Sequence, residues 1–256
     1  MAEKKDYIAV MDSGVGGVSV LRHLVRLMPG EQYLYYGDSA NAPYGTRPTE
    51  DVRKLTFAVV DKLMGEYPIK ALVVACNTAT AAAITNLREA YPELIIVGIE
   101  PALKLAADHY PGGRIGVLAT QVTLREEKFA ALLHQYAETC RVDKIPAPGL
   151  VELVEAGKGD SPEMDAFLEP ILRPYAGKLD AVVLGCTHYP FAAKSMARIL
   201  GEGTALLEGG EGTARETMRR LSEANLRSEG PGGVTILSSA TDGSMIALAQ
   251  QLMEEE

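Results

Sequence analysis

Cysteine is scarce in this chain: three occur among 256 residues. An odd number in a chain of this length does not build a disulfide framework, and a reducing compartment is expected. No Cys-x2-Cys or His-x3-His pair occurs, so the three or four ligands of a zinc site are not supplied and no metal is expected. No apolar run approaches the about 20 residues of a membrane helix. The stretch Tyr7–Met11 that follows the charged Ala2–Asp6 is too short for a secretion-signal core, and no cleavage pattern follows it. A cytoplasmic protein with no membrane partner is expected. Positive charge is also short. Lys and Arg number 25 against 34 Asp and Glu, for a net charge of −9. That excess argues against nucleic acid as the main partner, while an anionic small molecule stays open because a local field can oppose the global one.

What is there is ordinary globular material, 47% hydrophobic and 23% charged, enough for one large domain or two small ones. Strand-like and helix-like runs alternate. Strands are expected at Tyr7–Met11, Gln32–Tyr36, Leu72–Ala75 and Leu94–Gly98. Helices are expected at Val18–Met28, Glu50–Tyr67, Thr78–Ala90 and Ala102–His109, with a Gly-, Pro- and Asn-rich loop over Gly37–Pro48. After the turn Pro111-Gly112-Gly113 the pattern restarts. Strands follow at Arg114–Leu118, Arg141–Ile145, Ala181–Leu184, Ala205–Glu208 and Val234–Ser238. The helices of this part are Thr123–Tyr136, Gly149–Ala156, Pro162–Ala176, His188–Leu200, Gly212–Ala224 and Gly243–Glu255. Strands separated by helices of this length mean parallel sheets with both faces covered.

Two of these strands end alike. Ala71-Leu-Val-Val-Ala-Cys76-Asn-Thr78 and Ala181-Val-Val-Leu-Gly-Cys186-Thr-His188 are apolar runs that stop at a cysteine, 110 residues apart. Ile8-Ala-Val-Met-Asp12 and Ile115-Gly-Val-Leu-Ala119 recur at nearly the same offset. Any two β-α units look alike, but the matching cysteines tip the reading toward a repeat. The fold expected is α/β: two similar parallel-sheet lobes related by pseudo-twofold symmetry, facing one active site between them.

The end of a strand that feeds a helix is where α/β proteins place their chemistry. A helix start lowers a thiol's pKa and attracts carboxylates, and Asn77 and Thr78 are able to cap the helix behind Cys76. A buried packing role is the plain alternative for Cys76, and an ordinary packing role is expected for Cys140. In Cys186-Thr187-His188-Tyr-Pro190 the imidazole is two residues from the thiol and able to share its proton. Asp12-Ser-Gly-Val-Gly-Gly17 closes the first strand. It is neither Gly-x-Gly-x-x-Gly nor a Walker loop with its lysine, so Asp12 reads as a catalytic or ammonium-binding carboxylate or as a plain helix cap. The loop around Pro43-Tyr44-Gly45 has N–H groups to offer a carboxylate, and is otherwise a surface turn. Glu152 and Glu155, three apart, share a helix face.

Taken in order, Asp12-Ser-Gly-Val-Gly-Gly17, Gly37-Asp38 with Pro43-Tyr44-Gly45, Ala75-Cys-Asn-Thr78 and Gly185-Cys-Thr-His188-Tyr-Pro190 resemble glutamate racemase, of the aspartate/glutamate racemase family. The resemblance runs from Tyr7 to about Ala214 along the chain. It implies a cofactor-independent amino-acid racemase that interconverts L- and D-glutamate and supplies D-glutamate for peptidoglycan, with no cofactor and as a homodimer. It implies a first lobe of residues 1–98 with 208–256 and a second of 99–207. By position, Cys76 and Cys186 would be the two acid/bases, Asp12 assisting the first, His188 and Glu155 the second. Ser13, Pro43, Tyr44, Gly45, Asn77, Thr78 and Thr187 would hold substrate, with Thr120 and Thr123 sharing that task. Glu208-Gly209 and Leu124-Arg-Glu-Glu-Lys-Phe129 depart from the family's pattern, and activation by a cell-wall precursor is not expected. A two-cysteine racemase for aspartate or a hydantoin, a two-lobed binding protein and a dithiol redox protein are the alternatives.

Overall fold

The computed structural model describes residues 7–99, 102–120, 123, 124, 134, 136 and 139–254. The chain divides into two compact units, Met1–Glu100 with Gly210–Glu256, and Pro101–Gly209. The first opens with β1 (Tyr7–Asp12), α1 (Val18–Leu27), β2 (Gln32–Gly37), α2 (Thr49–Glu66), β3 (Ile69–Val74), α3 (Asn77–Ala90) and β4 (Ile95–Gly98). The second holds α4 (Leu103–His109), β5 (Arg114–Ala119), β6 (Arg141–Pro146), α5 (Leu150–Glu155), α6 (Pro162–Leu172), β7 (Ala181–Leu184), α7 (Ala193–Leu200) and β8 (Ala205–Leu207). The chain then returns to the first unit with α8 (Gly210–Glu223), β9 (Gly233–Ser238) and α9 (Ser244–Glu254). Most of the expected helix Thr123–Tyr136, and with it most of Leu124–Phe129, lies outside the described residues. Among the described residues, no helix is long and apolar enough to cross a membrane.

Both sheets are wholly parallel, in the orders β4-β3-β1-β2-β9 and β6-β5-β7-β8. The fold is α/β, as the alternation of elements predicts. β3 is buried at every residue, and β1 and β2 at all but their first. Within them Ile8–Met11, Tyr33–Tyr36 and Ala71–Val74 are continuously apolar because helices cover both faces. In the first unit α1 packs with α8 and α9, whereas α2 packs with α3. Ala9, Met11, Leu34, Leu63, Leu72, Val74, Leu87 and Ile96 share one core cluster. In the second, Leu103, Ala106, Ile115, Val117, Ala181 and Val183 share another.

The two sheets repeat one winding. β1 leads to β2 on one side, and β3 then lies on the other side of β1, followed by β4. β5, β6, β7 and β8 are arranged in the same way. Each sheet therefore has a point where the winding reverses, between β1 and β3 and between β5 and β7. The crevice at the carboxyl ends of such a strand pair is the usual ligand position in open α/β sheets.

Two expected helices are interrupted. Pro162–Ala176 is α only to Leu172 and continues as a 3-10 turn, Arg173–Tyr175. Pro174 has no N–H to give the ladder. His188–Leu200 begins as a 3-10 turn, Tyr189–Ala192, and becomes α only from Ala193. Its first bonds run from Tyr189 N–H to the Cys186 carbonyl and from Phe191 N–H to that of His188. The loop Gly37–Pro48 contains two further 3-10 turns, Ser39–Asn41 and Tyr44–Thr46.

Candidate active site

In the first unit, Asp12 ends β1 and Cys76 follows β3, on the two strands that flank the reversal. Asp12 is fully buried. Its Oδ1 accepts the Gly14 N–H at 3.0 Å, and Tyr35 Oη donates to the Gly14 carbonyl at 2.7 Å, which fixes the glycine-rich turn from below. The alternative of Asp12 as a cap of α1 does not hold. Gly17 occupies the N-cap position, five residues further on.

Cys76 itself, rather than Asn77 or Thr78, caps α3. Its Sγ accepts the Ala79 N–H at 3.4 Å, while Asn77 and Thr78 are already helical and lie buried in the first turn. The sulfur thus sits on the positive end of a 14-residue helix, a place that favours a thiolate. The thiol is also 3.7 Å from Ser13 Oγ, which it faces as donor. Sequence reasoning places the capping function one or two residues too late because cysteine is not counted among the usual capping residues.

The Gly37–Pro48 loop brings Tyr44 to the same place. Its hydroxyl donates to Asp38 Oδ2 at 2.6 Å. Asp38 also accepts from Asn41 Nδ2 at 3.1 Å on both oxygens. Burial, then the bond to Asp38 and that residue's charge, with smaller contributions from the charges of Cys76 and Asp12, hold the Tyr44 phenol well above its ordinary range. Tyr44 is therefore a neutral hydrogen-bonding group at any physiological pH. Pro43 precedes it through a cis peptide from Ala42, and Gly45 follows within the 3-10 turn. Asp38 is quoted in the sequence only as part of a motif. Its buried position at the end of β2 makes it the anchor of this loop.

In the second unit, Thr120 follows β5 and Cys186 follows β7, again flanking the reversal. Thr120 Oγ1 and Thr123 Oγ1 are 3.0 Å apart, and Thr123 N–H donates to Thr120 Oγ1 at 3.2 Å. Cys186 is partly exposed, and Thr187 and His188 are buried. Cys186 Sγ lies 3.7 Å from His188 Nδ1, and His188 Nε2 lies 3.0 Å from Glu155 Oε1. A carboxylate accepts only, so Nε2 carries the hydrogen, and Nδ1 of a neutral ring faces the thiol as an acceptor. Glu155 is the last residue of α5. Glu152, one turn earlier, is exposed, as expected for a solvated charge. Beneath this group Tyr189 is fully buried, and burial followed by the charges of Cys186 and Glu152 pushes its phenol well above the ordinary range.

Cys140 stands apart. It is buried, donates to the Tyr136 carbonyl at 3.7 Å, and burial raises its thiol pKa. Among the described residues no group of three or more His, Cys, Asp or Glu is arranged to hold a metal ion.

Residues 8–217 match the model of the Asp/Glu/Hydantoin racemase family. A glutamate racemase of Clostridium botulinum (strain Alaska E43 / Type E3) is 43% identical over 257 residues, covering 99% of both chains. Among solved structures, the glutamate racemase isoform RacE1 of Bacillus anthracis superposes with a TM-score of 0.88 at 31% identity, over 99% of this chain and 96% of that one. The glutamate racemase of Escherichia coli, solved in complex with L-glutamate and the activator UDP-MurNAc-ala, gives 0.87 at 31% identity, over 97% and 95%. The chain belongs to the Asp/Glu/Hydantoin racemase family, as an amino-acid racemase.

Proposed function

We propose that this chain interconverts L- and D-glutamate by moving the α-proton between two thiols, and so supplies D-glutamate for peptidoglycan. One observation carries the reading: two sheets of the same winding each place a cysteine two residues after the strand that borders the reversal. The names of the relatives support glutamate as substrate, and so does the glutamate bound to the Escherichia coli relative.

Racemisation removes the α-hydrogen from one face of the carbon and returns one to the other. In this reading Cys186 as thiolate takes the proton of L-glutamate while Cys76 as thiol protonates the opposite face, and the roles exchange in reverse. His188, polarised by Glu155, manages the proton of Cys186; Asp12 serves Cys76. Each acid/base group contributes roughly 10²–10⁴-fold. The remaining stabilisation falls on groups that hold the carboxylate as it becomes enediolate-like. Ser13, Tyr44, Gly45, Asn77 and Thr78 are candidates in the first unit, and Thr120, Thr123 and Thr187 in the second. Neither a pyridoxal group nor a metal ion enters this scheme. A homodimer in the cytoplasm is the assembly proposed.

The test is a racemisation assay on purified protein, without added pyridoxal phosphate or metal, starting from each enantiomer of glutamate and of aspartate. Formation of D-glutamate from L-glutamate well ahead of D-aspartate from L-aspartate supports the reading. Preference for aspartate or a hydantoin, or inactivity on all of them, overturns it.

A further inference from the structure

The position of Glu155 against His188 depends on how the six-residue helix α5 ends. Gly157 N–H bonds to the Val154 carbonyl at 2.9 Å and Lys158 N–H to that of Leu153 at 3.0 Å, with Gly157 at φ 72°. This pairing is a Schellman termination, whose left-handed residue is usually glycine. The chain then turns onto the segment that carries His188. A Cβ on Gly159 would lie 2.5 Å from the Phe191 carbonyl oxygen and 3.2 Å from its carbonyl carbon. Both are backbone atoms and cannot swing aside as a side chain would. The next residue, Asp160, accepts from Arg198 Nη2 at 2.7 Å. The same nitrogen reaches Asp165 Oδ1 at 2.7 Å and Ser195 Oγ at 2.9 Å. Glu155 and Gly159 thus lie on one short stretch, His188 and Phe191 on another, and the two stretches meet at both points.

We propose that Gly159 is a positioning residue: its missing side chain seats the 157–160 loop on the Phe191 carbonyl, and that seating holds the Glu155 carboxylate at the His188 imidazole. The proposal rests on the reading of His188 as proton partner of Cys186. A methyl group at Gly159 would force the loop to withdraw by roughly 1 Å to reach an ordinary contact of about 3.5 Å. A displacement of about that size at a catalytic group costs up to about a hundredfold in rate. Arg198 is nearly half exposed, so its clamp is the weaker of the two holds.

The experiment compares Gly159→Ala, Arg198→Met, Glu155→Gln and the doubles Gly159→Ala/Glu155→Gln and Arg198→Met/Glu155→Gln. Racemisation is measured together with alkylation of each cysteine by iodoacetamide, resolved by peptide mass. Gly159→Ala is expected to lose about tenfold in racemisation and to slow alkylation of Cys186 while that of Cys76 stays within about twofold. Arg198→Met should show a smaller loss of the same kind. Because both act through Glu155, neither should add to the loss of Glu155→Gln. Wild-type rate in Gly159→Ala, equal slowing of both thiols, or losses that multiply in the double variants overturn the proposal. Should Gly159→Ala fail to fold by circular dichroism, the Arg198→Met pair decides: its loss must vanish in the Glu155→Gln background, and a loss that persists there overturns the proposal. If Glu155→Gln itself races at the wild-type rate, the reading of His188 fails and the proposal with it. If Glu155→Gln is impaired and Gly159→Ala is not, only the role of Gly159 is lost.

Discussion

His188 turns one ring nitrogen to Glu155, 3.0 Å away and 33 residues earlier in the chain, and the other to Cys186 at 3.7 Å. A buried imidazole held between a carboxylate and a thiol has its tautomer and its orientation set by the carboxylate. In the function proposed above, its work is the proton of Cys186.

Replacing His188 by Asn should therefore slow proton transfer at Cys186 and leave Cys76 its own environment. The two enantiomers have equal free energy, so kcat/KM must fall equally in both directions, by about ten- to a hundredfold. The asymmetry belongs in isotope effects. With the Cys186 step made slower, the effect on α-deuterated L-glutamate should rise and that on α-deuterated D-glutamate should fall. Parallel changes from both enantiomers would count against the assignment.

Tyr44→Phe removes the donor to Asp38. The buried carboxylate keeps Asn41 but loses a 2.6 Å bond, which should cost about 1–3 kcal/mol in urea unfolding. Because Tyr44 organises the loop expected to hold substrate, KM for glutamate should rise more than kcat falls. Unchanged stability and KM would remove Tyr44 from the site.

Much of this arrangement is legible in the residues. The runs that stop at Cys76 and Cys186 give both the strands and the thiols, because an apolar run buried on both faces admits a polar group only at its end. The repeat in sequence is weak, yet the strand order in the two sheets is the same, since winding depends on the succession of elements rather than on side-chain identity. Cysteine as the cap of α3 is not legible, because the sulfur's part in capping is a matter of local geometry. The 3-10 turn at Tyr189 is hidden within the expected helix His188–Leu200. Proline suits either turn, and the choice between them follows from the bonds to the Cys186 and His188 carbonyls. The contact of Gly159 with Phe191 joins distant segments, and no periodicity announces it.

Away from the chemistry, Lys70 and Glu31 form a buried ion pair at 2.5 Å. Lys70 also donates to the Leu226 carbonyl at 2.8 Å and to Ser228 Oγ at 2.9 Å, and Ser228 N–H donates to Glu31 Oε1 at 2.8 Å. The pair fastens the connection between α8 and β9 to the first strands of its unit. Lys70→Met leaves a carboxylate buried without its cation and should destabilise by about 3–5 kcal/mol. A loss below about 1 kcal/mol in denaturant unfolding would be the value of an exposed pair and would contradict this account.

On α8, hydrogen bonds from Arg219 and then Arg220 hold the Glu216 carboxyl at a pKa of about 2, against an ordinary value of 4.5. A depressed carboxylate stabilises the folded chain above the unfolded value, and that contribution is lost as pH falls through the folded one. The Tm difference between wild type and Glu216→Gln should therefore shrink as pH is lowered from about 5 to about 2. A difference that is constant over that range would show that the arginines do not act on Glu216. The group is partly exposed, so the effect should also weaken with salt.

The central claim is that one thiol removes the α-hydrogen and the other delivers its replacement from solvent. Racemisation of L-glutamate in heavy water, stopped at low conversion, tests it most directly. The account predicts deuterium at Cα in every D-glutamate molecule formed, with the remaining L-glutamate still carrying hydrogen. D-glutamate that retains the substrate's own hydrogen would mean a single base carrying it across, and would contradict the account.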